Sequence, residues 1–244
     1  IQAAAEVAAP HFRPEFEPAA RFASELTRQV NARQQDDRMP HLTTVERRLP
    51  DMEAMGIDLQ TIIPPPFQAY YWLDPDLAMK AAGLVNDGLA EIADDMPDRF
   101  VAFGTVPLQD ADMAVAELER GVMKLGLKGF QLLTNVNGTE LSDPRLEKFW
   151  AKAEELDTLI FIHPNGFDSA ERFADHYFNN VIGNPLETTI AVHRLIFDGV
   201  MERYPKLRVL LAHGGGYLPA YSGRIDHVWG AREDGRAGLP HPPT

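Results

Sequence analysis

The 244-residue chain contains no cysteine. That absence excludes a disulfide framework, a zinc–thiolate site and a thiol nucleophile. Positive charge is scarce: 23 lysines and arginines stand against 36 aspartates and glutamates, a formal net charge of -13. A domain this acidic is repelled by the phosphate backbone of nucleic acid and by anionic membrane surfaces, so neither is expected as a partner. No apolar run approaches the ~20 residues of a membrane span, and no charged-then-apolar signal segment opens the chain. A cytoplasmic location is the expectation. The chain also has no GxSxG elbow, no Walker-type phosphate loop and no glycine-rich dinucleotide fingerprint. Serine hydrolases, P-loop enzymes and dinucleotide folds are disfavoured accordingly. What is present, 45% hydrophobic and 24% charged residues, suits one globular domain with a sizeable core, acting on small molecules.

Residues 1–50 are punctuated by prolines and polar stretches, as in HFRPEFEPAARF and NARQQDDRMPH, and read as loops with short helices and no strand. Beyond them the pattern alternates. Five apolar runs, at 58–64, 99–107, 127–134, 157–164 and 206–213, are dominated by Val, Ile, Leu and Phe without strict polar alternation. Parallel strands covered on both faces have that composition. Helical patterns lie between them, with start signals at Asp76, Asp110, Asp143–Pro144 and Asn184–Pro185, and stops at Pro97 and Gly126. Strand and helix in alternation predict βαβ units and a parallel sheet. The missing dinucleotide fingerprint weakens a doubly wound sheet and leaves a (β/α)8 TIM barrel, of which only five strands are visible.

Two of the runs end in histidine: FIHP at His163 and LAHGGG at His213. C-terminal strand ends open onto the catalytic face of a barrel, so both imidazoles are expected at one mouth. A histidine at a rigid strand tip suits metal ligation; a lone one is more often a hydrogen-bonded rim residue, and it is the pair that favours a site. Gly214, Gly215 and Gly216 let the backbone approach a ligand, as an anion nest or simply as a tight turn. Phe67 and Trp72, in PFQAYYW after the first strand, are candidates to wall a pocket for a planar substrate, with core packing the alternative. Arg224 is a candidate partner for a carboxylate, against a solvated helix arginine. His193 has helical spacing and reads as an interface residue, while His11, His41 and His241 read as solvated.

These motifs carry a family likeness. The succession MEAMGIDLQ, VNDGLAEIADDMPDRFVAFGTVPLQD, ELERGVMKLGLKGFQL, FIHP and NPLETTIAVHRLIFDGVMERYPKLRVLLAHGGGYLPAYSGRIDH resembles the metal-dependent amidohydrolase superfamily. Within it, the chain resembles the branch typified by aminocarboxymuconate-semialdehyde decarboxylase. The resemblance implies a (β/α)8 barrel and one divalent metal, zinc or manganese. The family holds its metal with a His-x-His pair ending strand one, the strand-five histidine and an aspartate ending strand eight. Of these, only the strand-five ligand is matched, by His163. By the same resemblance His213 orients or deprotonates the metal's water, and Arg224 binds the substrate carboxylate across a homodimer interface. A second substrate arginine is implied upstream, at Arg38 or Arg48. The family's Trp-Asp after the proline is replaced by Asn165-Gly166. The chain is therefore expected to be a single barrel domain over 1–244 lacking strand 1 and strands 7–8, with 1–50 an irregular insertion after strand 1. The natural protein is expected to be longer at both ends, and the shortened chain to lack the ion.

The implied activity is non-oxidative decarboxylation of an unsaturated or aromatic carboxylic acid, His163 holding the metal and His213 moving a proton. The same site also serves a hydrolase or hydratase of an ester, lactone or enol acid. A rival of another class is a silent barrel kept for protein assembly, which predicts no metal.

Overall fold

The computed structural model describes residues 2–169, 171–236 and 239–243. Five parallel strands make its main sheet: β1 (Gln60–Ile62), β2 (Phe100–Gly104), β3 (Gly129–Leu132), β4 (Leu159–Ile162) and β5 (Arg208–Leu211). Each pairs with the next in sequence, so spatial order equals chain order. A doubly wound sheet would reverse direction at a switch point. The unbroken order is that of successive staves in a barrel wall. All five strands fall inside the apolar runs, each shorter than its run.

Register explains the composition. Phe100, Ala102, Phe130, Leu132, Ile160 and Ile162 lie on the face toward the helices and are buried. Burying each large side chain contributes about 1.5–3 kcal/mol. The opposite face carries Thr61, Phe103, Gln131, Phe161 and Leu210; Phe103 and Gln131 are buried, while Thr61 and Leu210 are exposed.

The helices of seven residues or more among the described residues are α1 (Gln2–Ala8), α2 (Glu25–Thr43), α3 (Val45–Met55), α4 (Pro75–Asp95), α5 (Ala111–Met123), α6 (Glu147–Glu155), α7 (Asn184–Phe197) and α8 (Leu218–Ala231). α5 reaches the sheet closely because residue 121 is glycine: a Cβ there would lie 2.5 Å from Phe130 Cζ. Beneath α6, Trp150 is fully buried, donates to the Leu141 carbonyl at 2.9 Å and meets Phe149 edge-on at 5.2 Å.

Four expectations need correction. Residues 1–50 are not loops with short helices only, because α2 alone runs 19 residues. It starts at Ser24, whose hydroxyl accepts from Thr27 N at 3.2 Å, and it buries no residue, so it has no apolar stripe to betray it. The cap of α4 is Asp74, not Asp76: its carboxylate accepts from Asp76 N at 3.1 Å, with Pro75 in the first turn. Asn184 is not a cap; a π-helical turn over Asn179–Gly183 runs straight into α7, which frees both asparagine side chains for other work. A short hairpin, Asn135–Val136 against Thr139–Glu140, went unseen although Asn137–Gly138 signals it. Both turn residues have positive φ, 53° and 81°, as a two-residue hairpin turn demands. Among the described residues no helix is long and apolar enough to cross a membrane.

Candidate active site

His163 directly follows β4 and extends its ladder, donating its backbone N–H to the Leu132 carbonyl at 2.9 Å. Its half-buried ring lies edge-on to Phe161, 5.8 Å between centroids. Nδ1 sits 2.7 Å from the Pro164 carbonyl. A carbonyl only accepts, so Nδ1 carries the proton and Nε2 keeps a bare lone pair.

His213 follows β5, one residue beyond Ala212, whose N–H donates to the Ile162 carbonyl at 3.0 Å. Its φ is 54°, and Gly214, Gly215 and Gly216 follow at 62°, 81° and 63°. Four left-handed residues in succession are affordable only where most are glycine. The triple glycine is thus a requirement of the turn. It is not an anion nest: the N–H groups of Gly215, Gly216 and Tyr217 are committed to Ala212 O, His213 O and Thr189 Oγ1. The exposed His213 ring is fixed from behind. Thr188 Oγ1 donates to the Asn184 carbonyl at 3.2 Å and so accepts from His213 Nδ1, also at 3.2 Å. His213 therefore has the same tautomer as His163.

The two ring centroids are 5.1 Å apart. Desolvation lowers both pKa values below the ordinary 6.5, and for His163 the neighbouring His213 adds to the effect. At neutral pH the rim thus presents two uncharged imidazoles, each with its Nδ1 occupied and its Nε2 bare. His163 fits a metal ligand, since a bonded Nδ1–H fixes ring orientation and raises Nε2 basicity. Among the described residues no group of three or more His, Cys, Asp or Glu side chains gathers to complete a metal site. Replacing Thr188 with Val should release the His213 tautomer and lower turnover about tenfold, while Ser restores it. Wild-type turnover in the Val variant would show that the hydroxyl orients nothing.

A cavity of ≈ 480 Å³ opens at the loops that follow β3 and β4. Phe67 and Trp72 both line it, along with Tyr70 and Asn137. Phe16 stacks on Trp72 at 5.5 Å and 13°, and Phe12 meets the same ring edge-on at 5.8 Å. Neither histidine lines this cavity; Asn165 and Gly166, two and three residues past His163, join it to the pair. Arg224 is brought to neither place: it is exposed on α8 and outside the lining. Arg48 is committed to the fold, donating to Gln60 Oε1 and the Leu42 carbonyl, and Arg38 is exposed on α2. His193 is half-buried and bonds within its own helix, its Nδ1 donating to Thr189 O at 2.6 Å.

Glu187, in α7, was missed by sequence reasoning, which marked only Asn184–Pro185 at the start of this helix. Its buried carboxylate accepts from Thr134 Oγ1 at 2.9 Å and Asn135 Nδ2 at 3.5 Å; the same amide donates to Asp168 at 3.2 Å. Burial, with Asp168 nearby, pushes its pKa up to about 7. A raised folded-state pKa means stability that is present below the unfolded value of 4.5 and lost as pH rises through about 7. Glu187→Gln should remove that loss, gaining about 1–3 kcal/mol over wild type at pH ~8 and little at pH ~4. Thermal melts of the two proteins that run parallel across this range would contradict the assignment.

Sequential parallel strands with paired imidazoles at adjacent tips define the class: a TIM-barrel wall with two histidines on one rim. The family follows from comparison. The chain belongs to the Amidohydrolase family, whose model matches residues 16–236. It is 36% identical over 187 residues to 2-amino-3-carboxymuconate-6-semialdehyde decarboxylase of Dictyostelium discoideum, covering 77% of this chain and 52% of that protein. It is 34% identical over 198 residues to gamma-resorcylate decarboxylase of Rhizobium sp. (strain MTP-10005), covering 75% and 59%. Among solved structures it resembles 5-carboxyvanillate decarboxylase of Novosphingobium aromaticivorans complexed with manganese and 4-hydroxy-3-methoxy-5-nitrobenzoic acid. The TM-score is 0.72 at 30% identity, over 76% of this chain and 53% of that one. The chain thus spans between about half and three fifths of these relatives.

Proposed function

We propose that the protein is a metal-dependent, non-oxidative decarboxylase of an aromatic or unsaturated carboxylic acid, soluble in the cytoplasm. The observation that carries this reading is the pair of neutral imidazoles, 5.1 Å apart, with both Nδ1 atoms already bonded. His163 Nε2 would hold a divalent ion, zinc or manganese. The ion, when bound, supplies positive charge that lowers the pKa of water and steadies negative charge on the substrate. His213 Nε2 accepts a proton from water, the hydroxide left behind being neutralised by a proton from bulk solvent, and delivers its own proton to the carbon bearing the carboxylate. A C–H bond forms there, the bond to the carboxylate breaks, its electron pair restores the conjugated system, and carbon dioxide leaves. Phe67 and Trp72 face the substrate plane and exclude water. Arg224, exposed on α8, serves the carboxylate of a second copy in a homodimer.

The test is release of labelled carbon dioxide from carboxyl-13C gamma-resorcylate and 5-carboxyvanillate in the presence of manganese or zinc. Labelled gas in step with loss of acid supports the reading. Consumption of ester, lactone or enol acid substrates with no gas from any acid would assign the site to a hydrolase or hydratase instead.

A further inference from the structure

The segment over residues 15–21 crosses the loop that follows His163 at backbone contact. Gly166 has φ +88°, and a Cβ on it would lie 2.5 Å from Ala19 N and 2.9 Å from Ala19 Cα. Only glycine admits that crossing, because what a side chain would meet is main chain. The crossing is also tied. Ala19 N donates to the Asn165 carbonyl at 3.3 Å, and Asn179 Nδ2 donates to the Pro18 carbonyl at 3.0 Å. The Asn179 oxygen accepts from Phe167 N at 2.8 Å, and the Asn184 oxygen accepts from Gly166 N at 3.0 Å. Asn179 and Asn184, neither of them spent on a helix cap, are thus what locks segment and loop together.

Locked there, the segment becomes a wall of the cavity. Phe16 lies parallel to Trp72, and Glu15, Pro18 and Arg21 join the lining. Among the described residues lining the cavity Arg21 is the one cation, and its charge draws the Asp168 carboxyl down against the rise that burial causes. Glu15 and Asp168 are the acids. One cation among aromatic faces and two carboxylates suits a planar mono-anion that carries a hydrogen-bond donor, a hydroxyl or amine, at another ring position.

We propose that residues 15–21 are a specificity strap, that Gly166 is what seats it, and that Arg21 selects an aromatic mono-carboxylate bearing a donor group. This deepens the decarboxylase reading and rests on its placement of substrate in this cavity. The test compares binding of gamma-resorcylate with that of resorcinol, the same ring without the carboxylate, by quenching of tryptophan fluorescence. The wild-type protein should prefer the acid. Arg21→Met should weaken acid binding about 10- to 100-fold and leave resorcinol binding unchanged, with Arg21→Lys retaining part of the preference. Gly166→Ala should lower the preference in the same sense and speed hydrogen exchange of amides 15–21. Arg21 is exposed, so its variants test the idea even where Gly166→Ala fails to fold. A wild-type preference that survives in Arg21→Met overturns the strap's role and spares the decarboxylase reading. A wild-type protein that binds neither compound overturns both.

Discussion

His213→Asn lowers turnover by about 10²–10⁴-fold, the range of a lost proton-transfer group, without unfolding the protein. Asparagine is the informative substitution because φ at this position is 54°, where asparagine is tolerated better than most residues with a Cβ. The change removes the bare Nε2 and little else, since Thr188 Oγ1 keeps its own donation to the Asn184 carbonyl. His163 retains its bond to Pro164 and its lone pair, so metal content should stay at the wild-type level. Turnover followed by carbon dioxide release, with metal content measured on the same sample, separates the two histidines. Unchanged turnover would remove His213 from the chemistry. Turnover and metal lost together would make it a ligand.

Gly216→Ala is the second large effect, and it acts on the fold. At φ 63° the alanine is strained, and its Cβ would lie 2.6 Å from the Pro185 carbonyl and 3.0 Å from Thr189 N, both main chain at the start of α7. Backbone cannot rotate away as a side chain can. The turn must lift off α7, which also breaks the bond from Tyr217 N to Thr189 Oγ1 at 3.0 Å. The expected cost is about 2–4 kcal/mol, from local strain plus overpacking. Gly214→Ala supplies the control: φ is similar at 62°, but nothing lies within 4 Å of its Cβ, so about 1 kcal/mol is expected. Urea midpoints at constant slope measure both. Equal midpoints for the two variants would show that the close approach to α7 does not matter.

The strands were legible because each sits in a short, nearly continuous apolar run whose helix-side residues, Phe130, Ile160 and Ile162 among them, are buried. The histidine pair was legible for a related reason: strand direction in a parallel sheet is uniform, so residues ending successive runs must share one rim. What escaped lies in contacts that local pattern does not encode. α2 is stable without an apolar stripe, so a search by hydrophobic period passes over it. The Asn179 bond to Pro18 spans 161 residues, and the Glu187 bond to Thr134 spans 53. Asn184 illustrates the mechanism of error: Asn-Pro is a sound helix-start signal, yet here the side chain is spent on Gly166 N. Asn165-Gly166 read as an erosion of the family's motif. In the fold it is the place where another segment takes the missing side chain's room.

The central claim is that β4 and β5 set two neutral imidazoles side by side, each protonated on Nδ1 and bare on Nε2. Long-range proton–nitrogen correlation spectra of the histidine rings at neutral pH test it directly. The account predicts the Nδ1–H pattern for both His163 and His213, with ring-to-ring nuclear Overhauser contacts between them. An Nε2–H pattern on either ring, or two rings too far apart to show a contact, would contradict it.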